Sequence, residues 1–193
     1  MYIKIITPLL LILALLSGCT TSKTLTYGFL PGSDYEFYPP TKPLDLKEKH
    51  FNFVFHDVRS KTQVAECAAV KPERDSELEG DPGFQFFSSY FKALADSCHG
   101  RVDSLASDTV HVDLQVLGPK LKGFISVTVH GIVQFTVRSG GTQKVYCSDM
   151  KDGDPDSPYD TDSFATRKSA MRGMIAASCR RAMQQYFEDV SGH

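Results

Sequence analysis

The sequence predicts an α+β fold: a two-layer sandwich of order β-α-β-β-β-α, with two helices on one face of a mainly antiparallel four-stranded sheet. Three observations point there. Four short stretches alternate apolar and polar residues, the period-two signature of half-buried strands. Two longer stretches repeat apolar residues three and four apart, as one face of a helix does. Strands that are polar on one side need a covering layer on the other side only, so both helices are expected on the same face.

The first strand is Phe51–Asp57, where Phe51, Phe53 and Phe55 occupy every second position. A long polar connection follows, beginning Asp57-Val58-Arg59-Ser60, carrying Cys67 and closing in the turn Gly80-Asp81-Pro82-Gly83. Phe84, Phe87, Phe91, Leu94 and Cys98 then fall on one face of a helix, read as a core stripe, and Gly100 stops it. Val110, Val112, Leu114 and Val116 make the second strand, ended by Gly118-Pro119. The third, Phe124–Val137, is the cleanest alternation in the chain, and Gly131 inside it suggests a bulge or a closely packed helix. Ser139-Gly140-Gly141 is a hairpin signal leading to the fourth strand, Thr142–Ser148. The last helix runs from about Ser163 to Asp189 with Met171, Ile175, Cys179, Ala182 and Tyr186 as its stripe. Its basic residues Arg167, Lys168, Arg172, Arg180 and Arg181 read as a solvated face. Between strand and helix, Asp149, Asp152, Asp154, Asp156, Asp160 and Asp162 form an acidic loop. It lacks the Gly and the final Glu of an EF-hand, so it reads as solvated, and no metal is assigned.

The chain begins differently. Lys4 precedes Leu9–Leu16, an unbroken run of Leu, Ile and Ala, and then comes Leu16-Ser17-Gly18-Cys19. The positive start, the apolar middle and the small residues make a secretory signal. At roughly ten residues the run is too short for a spanning helix, which needs about 20. An apolar residue, two small residues and Cys resembles the lipobox of bacterial lipoproteins. In that family the Cys is cleaved free as the first mature residue and carries a diacylglycerol and an N-acyl chain such as palmitate. By that resemblance residues 1–18 are a cleaved signal peptide, Cys19 is the lipidation site, and no cofactor other than these acyl chains is expected. Asp after the Cys marks inner-membrane retention in such lipoproteins; Thr20 stands here, which implies the outer membrane with the domain facing the periplasm. Residues 19–50 read as the tether, because Pro31, Pro39, Pro40 and Pro43 exclude helix and central strand. Its rings, Tyr35, Phe37 and Tyr38 among them, either pack on the domain or bind another envelope protein. Residues 51–193 form the domain.

Removing the signal leaves 175 residues, with 20 Lys+Arg against 23 Asp+Glu. That weak acidity argues against nucleic acid as a partner. Once Cys19 is acylated, Cys67, Cys98, Cys147 and Cys179 remain, an even number that reads as two disulfides in an exported protein. Alternating element directions bring Cys67 and Cys147 to one edge and Cys98 and Cys179 to the lower halves of the two helices. The expected bridges are therefore Cys67–Cys147 and Cys98–Cys179.

The lipobox, the stretch Phe51–Ser60 and the hairpin of Phe124–Val137 with Gly140-Gly141 resemble the YajG-like outer-membrane lipoproteins. The layout is also similar to that of the lipopolysaccharide-assembly lipoprotein LptE. The resemblance implies a non-enzymatic, membrane-anchored accessory or binding factor in cell-envelope assembly or maintenance, whose partner is an envelope protein or glycolipid. One alternative is a structural subunit of an envelope machine such as a secretion or flagellar ring, since sheet edges and a proline-rich arm suit strand addition. The other is a periplasmic enzyme. His56 and Asp57 are adjacent on a strand and point to opposite faces, so they make no dyad. His111 and Asp113 share a face, with His130 across from them as a third member of a shallow site. No Gly-x-Ser-x-Gly, HExxH or phosphate loop accompanies them.

Overall fold

A computed structural model describes residues 28–30, 33–60, 64–68, 71–73, 78–123, 127–158 and 166–192. The signal segment, Cys19, Phe124 and the last two aspartates of the acidic loop lie outside them. Among the described residues no helix is long and apolar enough to cross a membrane.

The elements run β1 (Gly28–Phe29), β2 (Glu36–Phe37), β3 (His50–Asp57), α1 (Asp81–Ser97), β4 (Arg101–Val102), β5 (Thr109–Lys122), β6 (Thr128–Ser139), β7 (Thr142–Lys151) and α2 (Arg167–Ser191). β1 and β2 form a small antiparallel ribbon, and the other strands form one sheet of order β4-β3-β5-β6-β7. β3 is parallel to both β4 and β5, while β5, β6 and β7 are antiparallel. The class is α+β, with a five-stranded mixed sheet where four mainly antiparallel strands were expected. The extra strand, β4, has two residues, too few for alternation to register.

Three aromatic layers meet under the helices. From β3 come Phe51, Phe53 and Phe55; from α1, Phe87 and Phe91; from α2, Tyr186 and Phe187. Phe91 is the hub, with ring centroids 5.1 Å from Phe53, 5.5 Å from Phe135 and 5.3 Å from Phe187. Each such pair adds about 0.5–1.5 kcal/mol beyond its area burial. α2 reaches the sheet because Gly131 has no side chain: a Cβ there would lie 2.1 Å from the Met174 carbonyl oxygen. Of the two meanings Gly131 carried, close packing is the one found; the β6–β7 register runs past it unbroken. The helix starts cleanly, with Thr166 and Ser169 in a reciprocal capping box, and ends at Gly192 in the left-handed region.

β5 continues through Gly118-Pro119 instead of stopping there. Its pairing with β3 ends at Leu114, so beyond that point β5 has β6 on one side only, and Pro119, set opposite Gly131, can have its missing N–H turned outward. The Pro119 carbonyl accepts from the Glu73 N–H at 2.7 Å.

Within the expected tether, residues 28–30 and 33–50 pack on the domain. Leu30, Tyr38 and Leu46 are 2%, 0% and 4% exposed and belong to the main core. Tyr35 stacks on Phe86 with centroids 4.1 Å apart, the Tyr38 N–H donates to the Tyr90 hydroxyl, and that hydroxyl donates to the Tyr38 carbonyl. The Thr41 N–H donates to Gln184 on α2. The apolar stripe of α1 is wider than the sheet beneath it covers, so Phe86 and Tyr90 need a second cover. An extended, proline-rich segment offers rings and few unpaired N–H groups.

Candidate functional site

The helices cover one face of the sheet; the chemistry sits on the other. β3 presents His56 there, β5 His111, Asp113 and Gln115, β6 His130, Gln134 and Arg138, and β7 Cys147 and Asp149. Alternation dictates this placement, because the apolar partners of these residues are buried under the helices. A register shift between Leu114 and Val116 turns β5 over. Val116 therefore comes to the second face, where it makes a small apolar cluster with Ala65 and Ile132.

That cluster exists because the connection after β3 folds back across the sheet. Cys67 is bridged to Cys147, with Cα atoms 5.7 Å apart across 80 residues of sequence. On chain-entropy grounds a loop of that length contributes about 4–5 kcal/mol. Beside the bridge the Glu66 N–H donates to Gln134 at 2.6 Å, and Gln134 in turn donates to Gln115. The centre of β6 is thus buried on both faces, although its alternation reads as one-sided. Gln134 and His130 are held in pairs, with Gln115 and Asp149, rather than solvated.

The second expected bridge does not form: Cys98 and Cys179 are both free thiols, and both are buried. Cys179 lies near Tyr90, within reach of an electrostatic interaction with it. Cys98 is eight residues further along α1, a rise of about 12 Å, whereas bridged Cα atoms are within about 7 Å. Burial pushes the Cys98 thiol up to about 11 and the Cys179 thiol higher still, so neither is a nucleophile at neutral pH.

The histidines separate into distinct environments. His56 Nε2 and His111 Nδ1 are 3.2 Å apart, with nearly parallel rings, in an exposed position. Asp113 is next on the same face, and it accepts from Arg138 at 2.8 Å. His130 is not across from them. The register sets His111 against Arg138 and His130 against Lys120, so His130 lies eight residues further along β6, about 27 Å away. There its Nδ1 is 2.7 Å from Asp149. The expected three-residue site is therefore not assembled. Asp57 points to the opposite face from His56, as expected, and is held by Arg59, whose Nε and Nη2 donate to its two oxygens at 2.7 and 2.6 Å. This guanidinium holds the Asp57 carboxyl below its usual range. Arg59 also donates to the Leu78 and Gly80 carbonyls, tying the end of β3 to the start of α1. Sequence reading missed this clamp; the Asp-x-Arg spacing at a strand end was its only signal.

Of the aromatic residues proposed to bind a partner, Tyr35 and Tyr38 are buried in the molecule's own core, and Phe37 packs on Tyr90 at 5.2 Å. These contacts hold the segment to the domain, with Phe37 half-buried. Under Tyr38 lies Arg180, read as part of a solvated basic face but fully buried, its guanidinium 5.9 Å from the Tyr38 ring and donating to the Asp156 carbonyl. Burial pulls its pKa below the usual guanidinium value. In the acidic loop the described carboxylates serve different partners: Asp149 meets His130, Asp152 accepts from the Val129 N–H, and Asp154 accepts from the Lys151 N–H. Among the described residues no three His, Cys, Asp or Glu side chains gather around one point.

A cleft of about 490 Å³ opens at the hairpin end of the molecule. Phe51, Val137 and Tyr186 contribute apolar lining, and Lys144 and Asp189 lie on it as an ion pair 2.5 Å long that also takes the Tyr146 hydroxyl.

No protein-family model matches the chain, and no curated protein sequence matches it either. Two solved structures are similar in arrangement. One is an uncharacterized protein with 13% identity and a TM-score of 0.44, covering 77% of this chain and 95% of its own. The other is a protein from Xanthomonas campestris placed in the family DUF330, with 10% identity and a TM-score of 0.40, covering 80% of this chain and 88% of its own.

Proposed function

We propose that this chain is a non-enzymatic lipoprotein, anchored through acyl chains on Cys19 to the outer membrane and facing the periplasm, that acts as an accessory binding factor in envelope assembly or maintenance. The observation that carries this reading is the Cys67–Cys147 bridge. A disulfide of this kind persists in an oxidising compartment, which is where the Leu16–Cys19 signal would deliver the chain. The bridge also fixes a connection onto the second face of the sheet, giving a rigid, polar, patterned surface beside the exposed histidines. Such a surface suits recognition of an envelope protein or glycolipid headgroup, and its histidines and carboxylates stand in separate pairs rather than in a convergent reactive group.

Crosslinking in cells followed by purification of the lipidated protein tests the proposal. A specific partner should be recovered with the parent chain and lost when the second face is altered, for example by Arg138→Glu. Recovery of no protein or glycolipid above background would overturn it.

A second reading, a subunit of a larger envelope assembly, is favoured by one feature: β7, ten residues long, forms an end of the sheet order. Such an edge can accept a strand from a neighbour. Size-exclusion chromatography of the full chain in detergent separates the two, because a ring subunit elutes as a closed oligomer and a lone binding factor as a monomer.

A further inference from the structure

We propose that His56 and His111 form a surface site for a borderline divalent transition ion such as Zn²⁺. The pair stands on neighbouring parallel strands, where Val54 pairs with His111 and His56 with Asp113, so the separation of the two imidazoles is set by the sheet. Their facing nitrogens, Nε2 and Nδ1, are 3.2 Å apart. Two imidazole nitrogens bound to one Zn²⁺ at about 2.0–2.1 Å are about 2.9 Å apart at a right angle and about 3.4 Å apart at the tetrahedral angle. The observed spacing lies inside that window. Imidazole suits Zn²⁺, Ni²⁺ and Cu²⁺, whereas a hard ion such as Mg²⁺ prefers oxygen.

Without the ion, one ring donates its N–H to the other across the same 3.2 Å. Binding moves that proton to the donor ring's outer nitrogen through solvent, leaving both facing lone pairs for the metal and releasing no net proton. The His56 ring is exposed and His111 only half-buried, so the pair can turn by the few tens of degrees needed to aim both lone pairs at one point. Water completes the coordination. Asp113 is the nearest carboxylate on the same face, and Arg138, opposite His111, holds it and adds a positive charge beside the site.

Isothermal titration of the detergent-solubilised full chain with Zn²⁺ tests this. One ion per chain should bind, and Mg²⁺ at the same concentrations should not compete. His56→Ala and His111→Ala should each weaken binding at least about tenfold, with thermal midpoints in EDTA nearly unchanged because His56 is exposed and His111 only half-buried. His130→Ala should leave binding intact. Arg138→Gln, which removes the adjacent cation, should tighten it by up to about fivefold. Absence of saturable binding in the parent chain, or equal binding in the His56→Ala/His111→Ala double variant, would overturn the site.

Discussion

Single residues decide how closely the layers approach. Gly131 is the clearest case: a methyl group there would meet the backbone of Met174, which has no side-chain freedom with which to yield. Gly131→Ala should destabilise the protein by about 2–4 kcal/mol, the cost of an overpacked core or a displaced helix, as read from the urea midpoint. An unchanged midpoint would mean that α2 does not seat on β6 as described. Arg59 is a second such residue. Its two bonds to Asp57 and two to backbone carbonyls make it a clamp between β3 and α1, and Arg59→Met should cost about 2 kcal/mol. The sign of its pH dependence follows from Asp57. The folded pKa is held down by the Arg59 guanidinium, so the stabilisation is full above the unfolded carboxylate value of about 3.9 and fades as pH falls through the lower folded value. The stability difference between parent and variant should therefore shrink below about pH 4. A difference that stayed constant to pH 2 would contradict the clamp.

At the scale of elements, most of the strand and helix pattern was legible because period-two and period-3.6 patterning report burial directly. β3, α1, β6 and α2 lie where Phe51–Phe55, Phe87–Leu94, Val129–Val137 and Ile175–Tyr186 put them, and β7 covers the expected Thr142–Ser148, with Val145 and Cys147 on one face and Tyr146 buried on the other. What was not legible was cover supplied from elsewhere in the chain. Residues 19–50 read as a tether because prolines exclude regular structure, yet prolines are no obstacle to burial, and Tyr38 is fully enclosed. A tether ring could be removed at no cost; Tyr38→Ala should cost about 3–4 kcal/mol in chemical denaturation, as a buried aromatic does. Similarly, Gln134 looked like a solvent-facing residue until the folded-back connection placed Glu66 and Cys67 over it. The thiols follow the same logic. Topology brought Cys67 to Cys147 but could not specify the height at which Cys179 meets α1, which is nearer Tyr90 than Cys98. Labelling the folded protein with a maleimide should modify neither Cys98 nor Cys179, and unfolding without reductant should release both. Finding them bridged would require the two helices to slide past each other by about two turns.

For the whole molecule, the structure is a rigid block with a phenylalanine-rich interior, a helical side wrapped by its own N-terminal segment, and a stapled, polar second face. On this account the block is held at the envelope by its N-terminus, and its work is done by recognition. The candidate site was partly readable: His56, His111 and Asp113 come together, while His130 lies far along the same face, because the β5–β6 register that sets His111 against Arg138 is not written in composition. The anchor tests the account most directly. Mass spectrometry of the N-terminal peptide, from protein purified out of membranes, should find a chain beginning at Cys19 whose sulfur carries a diacylglycerol and whose amine carries a further acyl chain. A peptide that still begins at Met1, or one in which the Cys19 sulfur is bare, would contradict it.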